Sequence, residues 1–384
     1  NDTFTAAGRT ALSILGLAAA FMLHSACVRI ILWHATTLDD RITVPRNAAL
    51  RGEVRAGSGE RAAVRPSSIP PASLSDDDDL LVATTVQPDG GQHLLYRRSD
   101  DSIRPLAALS RSRWQARSPL PATQPLQFQS RDGLTLHGYL TLPASPAAGP
   151  VPAVVYVHGG PWARDLHLGG DAMVDFLANR GYAVLQPEYR GSTGFGNRHF
   201  QAGLREWGQA MQRDLADGAR WAIAQGIADP QRIAIAGASY GGYATLMGLL
   251  QNPELFRAGI SWVGVTDPGL MFSVTWSDVT DESKRYGYAT LIGDPVADAE
   301  HFKTISPLAQ AARIRQPLLL AHGEWDARVP IVHGEKFRDA NQPHNPLLDW
   351  VVYPEEGHGW RKLETQVDFW GRVERFLGKH LAPR

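Results

Sequence analysis

Apolar runs alternate with amphipathic stretches over the last two thirds of the chain. The runs lack the in–out alternation of a half-exposed sheet, as strands buried on both faces do. They lie at 153–157, 183–185, 233–236, 258–262, 318–321 and 350–353. Helical periodicity recurs between or after them, near 171–180, 203–225, 243–251, 331–340 and 364–379. This alternation predicts one α/β domain over residues 118–384, with a mostly parallel sheet that helices cover on both faces.

A different pattern precedes this domain. The apolar segments 80–86 and 93–97 flank Pro88-Asp89-Gly90-Gly91, and a third strand is predicted at 103–109. Residues 80–117 are therefore expected to form short antiparallel strands, too few for an independent core. Further alternation at 127–130 and 134–140 predicts a hairpin at the start of the α/β domain.

The first 79 residues carry two other signals. An apolar run at 10–23 follows Arg9 and suits a signal-peptide core or a membrane anchor within residues 1–33. Membrane association through residues 10–33 is one interpretation of this run, and export or anchoring and a cytoplasmic location fit the sequence equally well. Residues 34–79 show neither helix nor strand periodicity, which favours a disordered linker.

The composition excludes several classes of function. The 38 Lys and Arg nearly balance the 39 Asp and Glu, and no segment has the basic stripe that nucleic-acid binding needs. The single cysteine, Cys27, excludes an internal disulfide and a thiolate metal cluster. Four consecutive aspartates at 76–79 diverge from one another and suit solvent better than a metal ion. We expect no metal, no cofactor and no nucleic-acid partner.

The strongest chemical signal is the segment Gly237-Ala238-Ser239-Tyr240-Gly241. It follows the apolar run at 232–236 and opens into a helical pattern at 244–250. This strand–turn–helix context makes a G-x-S-x-G motif a nucleophile elbow. It predicts a strained backbone and an exposed Oγ at Ser239, with glycines on either side because a Cβ there would collide with neighbouring backbone.

A serine nucleophile needs a base, and the base needs a carboxylate to orient it. The loop after the 318–321 strand offers two acids, Glu324 and Asp326, and the loop after the last strand offers His358 between two glycines. In an α/β-hydrolase the serine precedes the acid and the acid precedes the histidine, as here. Other histidines are less well placed; they are His322, His333, His344 and His380.

A tetrahedral intermediate also needs hydrogen-bond donors for its oxyanion. The loop His158-Gly159-Gly160-Pro161 follows the 153–157 strand and is of the HGGG type that offers a backbone N–H. We predict the N–H groups of Gly160 and Tyr240 as the two donors. His158 is assigned a structural role, in which it holds the loop by hydrogen bonds.

These segments resemble the prolyl oligopeptidase family of serine peptidases, especially its acylaminoacyl-peptidase and dipeptidyl-peptidase branches. The resemblance covers residues from about 118 to 384. It implies an α/β-hydrolase fold, and five motifs carry it in order: HGGP at 158–161, YRGSTGFG at 189–196, GASYGGY at 237–243, HGEWDARVP at 322–330 and EGH at 356–358.

The resemblance implies a role for each matching residue. Ser239 would be the nucleophile, Asp326 the orienting acid and His358 the general base. Gly160 and Tyr240 would form the oxyanion hole.

The resemblance also points to substrate-binding residues. It implies that Arg328, in a D-x-R segment, binds a substrate backbone carbonyl, with a structural salt bridge as the alternative. The pocket before the scissile bond is expected to draw on Val265, Met271 and Phe272, which suit a core equally well.

We therefore predict a serine peptidase that hydrolyses peptide or acyl-peptide bonds of short peptides through an acyl-enzyme. A carboxylesterase is the alternative enzyme, and a catalytically silent hydrolase-fold fragment or interaction protein is the alternative of another class. Family members carry a β-propeller before the hydrolase domain, and here only residues 80–117 resemble its last blade. We expect the propeller to be missing or truncated.

Overall fold

The computed structural model describes residues 54–55, 61–62, 73–74, 79–87, 90–100, 102–109, 121, 123–143, 149–165, 171–275 and 277–381. The predictions for residues 1–33 and for most of 34–79 lie outside this part of the chain. Among the helices described, none is both long and apolar enough to cross a membrane. The chain divides into two compact units, and the second takes up residues 124–165 and 173–384.

The first unit contains two small antiparallel sheets. Strands β1 (Val54–Arg55) and β2 (Arg61–Ala62) form one pair, too short to leave a periodic pattern in the sequence. The other sheet has four strands in chain order: β3 (Ser73–Leu74), β4 (Leu80–Gln87), β5 (Gly90–Arg97) and β6 (Ser102–Leu109). The last three lie where the sequence predicted strands. Their assignment to a propeller blade stays a prediction.

An eight-stranded sheet organises the second unit. Its strands are β7 (Thr123–Gln129), β8 (Thr135–Thr141), β9 (Val151–Val157), β10 (Ala183–Glu188), β11 (Ala228–Ala238), β12 (Ala258–Trp262), β13 (Leu318–Gly323) and β14 (Leu348–Tyr353). The order is β14-β13-β12-β11-β9-β10-β8-β7. Neighbours are parallel from β10 to β14, and β8 pairs antiparallel with β10. This is the predicted α/β-hydrolase fold.

Helices connect these strands. They are α1 (Ala172–Asn179), α2 (Asn197–Gln201), α3 (Ala210–Ala224), α4 (Tyr240–Gln251), α5 (Leu270–Ser273), α6 (Ala289–Leu291), α7 (Ala299–Thr304), α8 (Val332–Asn341) and α9 (Leu363–His380). A π-helix (Ser283–Tyr288) and a 3₁₀-helix (Leu308–Arg313) lie between β12 and β13.

One predicted helix differs from the structure. The pattern at 203–225 predicts a single helix, whereas α3 begins only at Ala210. Arg205 and Gly208 have φ values of 60° and 67°, in the left-handed region that a right-handed helix cannot contain. The helical spacing of hydrophobic residues continues through this turn, although the backbone there is not helical.

The central strands are buried on both faces, which explains their continuous apolar sequence. Val154, Ile233 and Leu319 are each completely inaccessible to solvent. On one face α9 contributes Phe369, whose ring packs 5.4 Å from that of Trp262. The rigid sheet fixes the positions of the loops that leave its carboxyl edge.

Two buried histidines make the stability of this fold sensitive to acid. Burial lowers the pKa of His199 to about 4 and that of His333 to about 3. His199 Nε2 lies 3.0 Å from the Tyr189 carbonyl oxygen, and His333 Nδ1 accepts the Thr266 N–H at 3.2 Å. Both rings are therefore neutral in the folded protein at neutral pH.

We expect the free energy of unfolding to decrease as the pH falls from about 6.5 to about 4. The unfolded chain takes up protons near the ordinary histidine pKa of about 6.5, whereas the folded rings stay neutral. The stabilisation is thus complete above pH 6.5 and lost as the pH falls towards the folded pKa. Urea denaturation at several pH values would measure it.

A matched pair of variants separates this effect from general acid denaturation. His333→Asn keeps an acceptor for the Thr266 N–H but cannot titrate, so its stability should depend less steeply on pH. His344→Asn, at an exposed histidine, should leave the slope unchanged. Equal slopes in all three proteins would contradict the assignment to His333.

Candidate active site

Ser239 lies at the sharp turn between β11 and α4. Its backbone has φ 59° and ψ −120°, a conformation that costs a non-glycine residue about 1–3 kcal/mol. Its N–H donates to the Trp262 carbonyl at 3.1 Å, and its carbonyl accepts the Val265 N–H at 3.3 Å. The residue is partly exposed. Neighbouring strands therefore hold the predicted elbow in its strained form.

Two glycines allow the elbow to pack directly on the end of β9. A Cβ on Gly237 would lie 2.6 Å from the Val157 carbonyl oxygen, and one on Gly241 would lie 2.1 Å from the same atom. Both distances are far below a normal contact. As the sequence predicted, a side chain at either position would push the serine turn away from the sheet.

Asp326 and His358 meet at the same edge of the sheet. The Asp326 Oδ2 atom lies 2.8 Å from His358 Nδ1. The other oxygen, Oδ1, accepts the N–H groups of Arg328 and Val329, each at 2.9 Å. The Asp326 side chain is completely buried, whereas that of His358 is 29% exposed. Of the two acids in this loop, Asp326 and not the exposed Glu324 contacts the histidine.

The sheet explains how these distant segments converge. Strands β11 to β14 are parallel, so the loops that follow them leave from one edge, with Ser239 after β11, Asp326 after β13 and His358 after β14. The last two loops are tied together, because the Trp325 N–H donates to the Glu356 carbonyl at 2.8 Å. The Glu356 carboxylate then closes the histidine loop by accepting the N–H groups of Arg361 and Lys362.

His322 lies behind Asp326 and does not take the position of His358. Its Nε2 is 2.7 Å from the Val329 carbonyl oxygen and 3.7 Å from Asp326 Oδ2. Burial lowers its pKa. A neutral His322 with Nε2–H donating to Val329 supports the turn that carries Asp326.

The glycine loop after β9 passes beside the serine. A Cβ on Gly159 would lie 3.4 Å from the Cβ of Ser239. Gly160 follows at φ +119°, a conformation that favours glycine. Tyr240 is the first residue of α4, so its N–H is among those at a helix start that have no carbonyl partner within the helix. Both predicted oxyanion donors therefore belong to segments that adjoin Ser239.

His158 is buried beneath this loop among polar groups. Its Nδ1 lies 2.7 Å from the Gly159 carbonyl oxygen, and its Nε2 lies 2.9 Å from Ser192 Oγ and 3.5 Å from Glu188 Oε2. The Tyr189 hydroxyl donates to the His158 carbonyl at 2.9 Å. Burial acts to lower the pKa of His158, but the Glu188 carboxylate outweighs it, and the pKa is raised.

Comparison with known families shows to which family the chain is related. The sequence profile of the prolyl oligopeptidase family matches residues 170–384, more than half of the chain. The chain belongs to the prolyl oligopeptidase family. The resemblance inferred from the motifs is confirmed.

Two named relatives are similar to this chain over most of its length. Dipeptidyl aminopeptidase BIII of Pseudoxanthomonas mexicana is 39% identical over 304 residues, which cover 76% of this chain and 43% of that protein. The acylamino-acid-releasing enzyme of Homo sapiens is 27% identical, over 69% of this chain and 36% of that protein. The chain thus spans less than half the length of these two relatives.

Solved structures agree with the fold. A puromycin-hydrolysing peptidase of Mycobacterium tuberculosis superimposes with a TM-score of 0.69 at 27% identity, covering 80% of this chain and 46% of that one. The structural similarity thus covers more of the chain than the region that the family profile matches.

The arginine expected from the family's D-x-R segment is engaged in an ion pair. Arg328 Nε and Nη2 donate to the two oxygens of Asp278 at 2.6 and 2.9 Å. The backbones of the two segments are also hydrogen-bonded, because the Asp278 N–H donates to the Ala327 carbonyl at 2.7 Å. Since Arg328 also donates its N–H to Asp326, the pair connects directly to the acid loop.

The three predicted pocket residues are in different surroundings. Val265 is buried behind the serine turn, to which its N–H is bonded. Met271 and Phe272 lie in α5 and are partly exposed. The Phe272 ring packs edge-to-face against Tyr288 and Phe302, with centroids 5.5 and 5.8 Å away. Their assignment to a substrate pocket stays a prediction.

Sequence reasoning missed two acidic residues of the site. Glu188 lies three residues beyond the apolar run at 183–185, and Asp278 lies in a segment without periodicity, so no local pattern points to either residue. The YRGSTGFG motif directly after Glu188 was the one signal that pointed to this region.

Proposed function

We propose that this protein is a serine peptidase that hydrolyses peptide or acyl-peptide bonds of short peptides through an acyl-enzyme. One observation carries the proposal: the 2.8 Å contact between Asp326 and His358 lies at the sheet edge that presents a strained Ser239. The peptidase names of its relatives support peptides as the substrate class.

Acylation would begin with proton transfer from Ser239 Oγ to His358 Nε2 as Oγ attacks the substrate carbonyl carbon. The contact with Asp326 requires the proton of a neutral His358 on Nδ1, which leaves Nε2 able to accept. The buried carboxylate then stabilises the imidazolium that forms. The N–H groups of Gly160 and Tyr240 would stabilise the oxyanion of the tetrahedral intermediate.

Collapse of this intermediate would release the amine half of the peptide. His358 Nε2 returns its proton to the leaving nitrogen, and the carbonyl carbon remains bonded to Ser239 Oγ as an ester. In the second half, His358 takes a proton from water as the water attacks this ester. The free carboxylic acid leaves and the serine recovers its proton.

A carboxylesterase is the alternative, because the same three side chains cleave esters more readily than amides. Peptide p-nitroanilides and p-nitrophenyl esters, assayed on the same preparation, separate the two functions. We expect turnover of both classes. Ester hydrolysis without amide hydrolysis, in enzyme that a fluorophosphonate titrates fully at Ser239, would contradict the peptidase proposal.

The remaining alternative is a catalytically silent protein that acts by interaction. Its test is labelling of the intact chain with a fluorophosphonate probe, followed by peptide mapping. We expect covalent modification of Ser239. A folded protein that does not react there would favour the silent alternative.

Replacing Arg328 by alanine should reduce turnover of a peptide amide more than turnover of a minimal ester. We propose that the guanidinium binds a backbone carbonyl of the peptide, and a charged hydrogen bond of this kind is worth roughly tenfold or more. A minimal ester lacks that carbonyl. Steady-state kinetics on the two substrates would measure the difference.

Two controls test whether Arg328 has only a structural role. Arg220→Ala removes a half-exposed arginine that pairs with Glu254 and should affect neither substrate. If Arg328→Ala reduces both activities equally, and Asp278→Ala does the same, the arginine is structural.

A further inference from the structure

Glu188 is a buried acid that the mechanism above does not use. It ends β10 and its side chain has no exposed surface. Its Oε1 accepts the Asp165 N–H at 2.9 Å. Its Oε2 has no hydrogen-bond partner among the described residues, and it lies 3.5 Å from His158 Nε2. A buried carboxylate is costly unless a cation or donor compensates it, and His158 is the group in position to do so.

The contacts of His158 determine where its protons are. The Gly159 carbonyl oxygen, 2.7 Å from Nδ1, can only accept. The Tyr189 hydroxyl lies 3.1 Å from the same nitrogen but donates its one proton to the His158 carbonyl, so Nδ1 carries a proton. The other nitrogen faces the Glu188 carboxylate and the Ser192 hydroxyl. A second proton on Nε2 makes an imidazolium whose charge compensates the carboxylate 3.5 Å away. Its Nε2–H donates to the Ser192 hydroxyl at 2.9 Å, and Nδ1–H still donates to Gly159. Glu188 thus favours the imidazolium form of His158, whose charged Nδ1–H makes the stronger hydrogen bond to the Gly159 carbonyl.

The Gly159 carbonyl group that contacts His158 belongs to the same peptide unit as the Gly160 N–H, the proposed oxyanion donor. The bond between Gly159 and Gly160 is trans, since the cis bond in this loop is the one between Gly160 and Pro161. In a planar trans peptide the C=O and the N–H point in opposite directions. With its C=O directed at His158, the peptide must direct the Gly160 N–H away from His158. The Gly159 α-carbon is also next to Ser239, as the 3.4 Å approach of its Cβ position shows.

We propose that Glu188 is a positioning residue for oxyanion stabilisation. Through His158 it fixes the plane of the Gly159–Gly160 peptide and so aims the Gly160 N–H at the developing oxyanion. Glu188 does not touch the substrate. The inference rests on the proposed function, because it assumes that Ser239 forms a tetrahedral intermediate stabilised by Gly160.

The test variant is Glu188→Gln. Glutamine keeps an oxygen for the Asp165 N–H but presents a neutral amide to His158, which removes the reason for a second proton there. Complete loss of an oxyanion donor costs about 10²–10³-fold in kcat. Loosening the donor should cost less, so we expect kcat for a peptide p-nitroanilide to fall about tenfold with little change in KM.

A second readout reports on the oxyanion hole itself. Replacing the scissile carbonyl oxygen of an ester by sulfur gives a thiono ester, whose sulfur is larger and a weaker hydrogen-bond acceptor. An intact hole therefore favours the oxygen ester. Glu188→Gln should reduce the ratio of oxygen-ester to thiono-ester turnover, an effect that a general loss of folded protein cannot produce.

Three comparisons complete the experiment. All rates are normalised to the fraction of enzyme that a fluorophosphonate titrates at Ser239. Glu254→Gln, at an exposed acid that pairs with Arg220, serves as the matched control and should behave as wild type. His158→Gln should lower kcat, and adding Glu188→Gln to it should lower kcat little further, because the acid acts through the histidine.

If Glu188→Gln keeps both the normalised kcat and the ratio of oxygen-ester to thiono-ester turnover of the wild type, the inference is overturned. Additive losses in the double variant would overturn it as well, since Glu188 would then act independently of His158. Should Glu188→Gln fail to fold, Glu188→Asp moves the charge back by one methylene, and the same two readouts should fall by a smaller amount. Wild-type values there would count equally against the inference. Failure of the peptidase proposal is distinguishable, because wild-type enzyme would then show no amide turnover.

Discussion

Replacing Ser239 by alanine is expected to lower kcat for peptide hydrolysis by about 10⁶-fold. No other group in the mechanism can form the acyl-enzyme, so the variant retains only the rate that substrate binding and the oxyanion donors provide. Alanine fits the same turn, because the strained backbone is held by hydrogen bonds to Trp262 and Val265 and not by the hydroxyl. The variant should therefore fold normally, and p-nitroanilide hydrolysis would measure the loss.

An exposed hydroxyl provides the matched control for this experiment. Thr304, at the end of α7, lies on the surface, and Thr304→Ala should keep full activity. Fluorophosphonate labelling should disappear in Ser239→Ala and remain in the control. If Ser239→Ala kept more than about 1% of the wild-type rate, far above the residual rate expected after a loss of about 10⁶-fold, the nucleophile would have to be another residue.

Replacing Asp326 by asparagine should lower kcat by about 10⁴-fold while leaving the loop intact. The asparagine oxygen can still accept the N–H groups of Arg328 and Val329, which Asp326 Oδ1 accepts at 2.9 Å. Its amide NH₂ would face His358 Nδ1, which must then become the acceptor. The proton of the ring moves to Nε2, the nitrogen that must receive the proton of Ser239.

A variant of the neighbouring acid, Glu324, distinguishes this effect from a change in local charge. Glu324 lies two residues earlier on the same loop and is exposed, so Glu324→Gln should change kcat little. Peptide kinetics on both variants, with thermal unfolding to confirm equal stability, would test the assignment. A larger loss in Glu324→Gln than in Asp326→Asn would show that the wrong carboxylate has been chosen.

The sequence contained enough to predict the sheet and the order of the three candidate catalytic residues. Buried parallel strands leave continuous apolar runs, and the loops that follow such runs must reach one edge of the sheet. Ser239 and His358 could therefore be selected from many serines and histidines by their place after a strand. Glu324 and Asp326 share one loop, and only the family resemblance chose between them. Glycines at 237 and 241 could be explained in advance because the elbow geometry is local.

Other features depend on contacts that no local pattern records. Glu188 ends β10, three residues beyond the apolar run at 183–185. Its partner His158 lies in the loop directly after β9, a strand that is next to β10 only in the folded sheet. Asp278 was missed for the same reason, since its pairing with Arg328 joins two segments far apart in the chain. Short helices such as α5 and α7 contain too few turns to show a period.

The position of β14 has a consequence for how this protein would lose activity. Ser239 follows a strand in the interior of the sheet, whereas His358 follows β14, the terminal strand of the order, with a neighbour on one side only. Terminal strands open at a lower free-energy cost than central ones. Mild heat or denaturant would thus separate His358 from Ser239 while most of the sheet is still folded. Loss of the proposed peptidase activity would precede unfolding of the sheet.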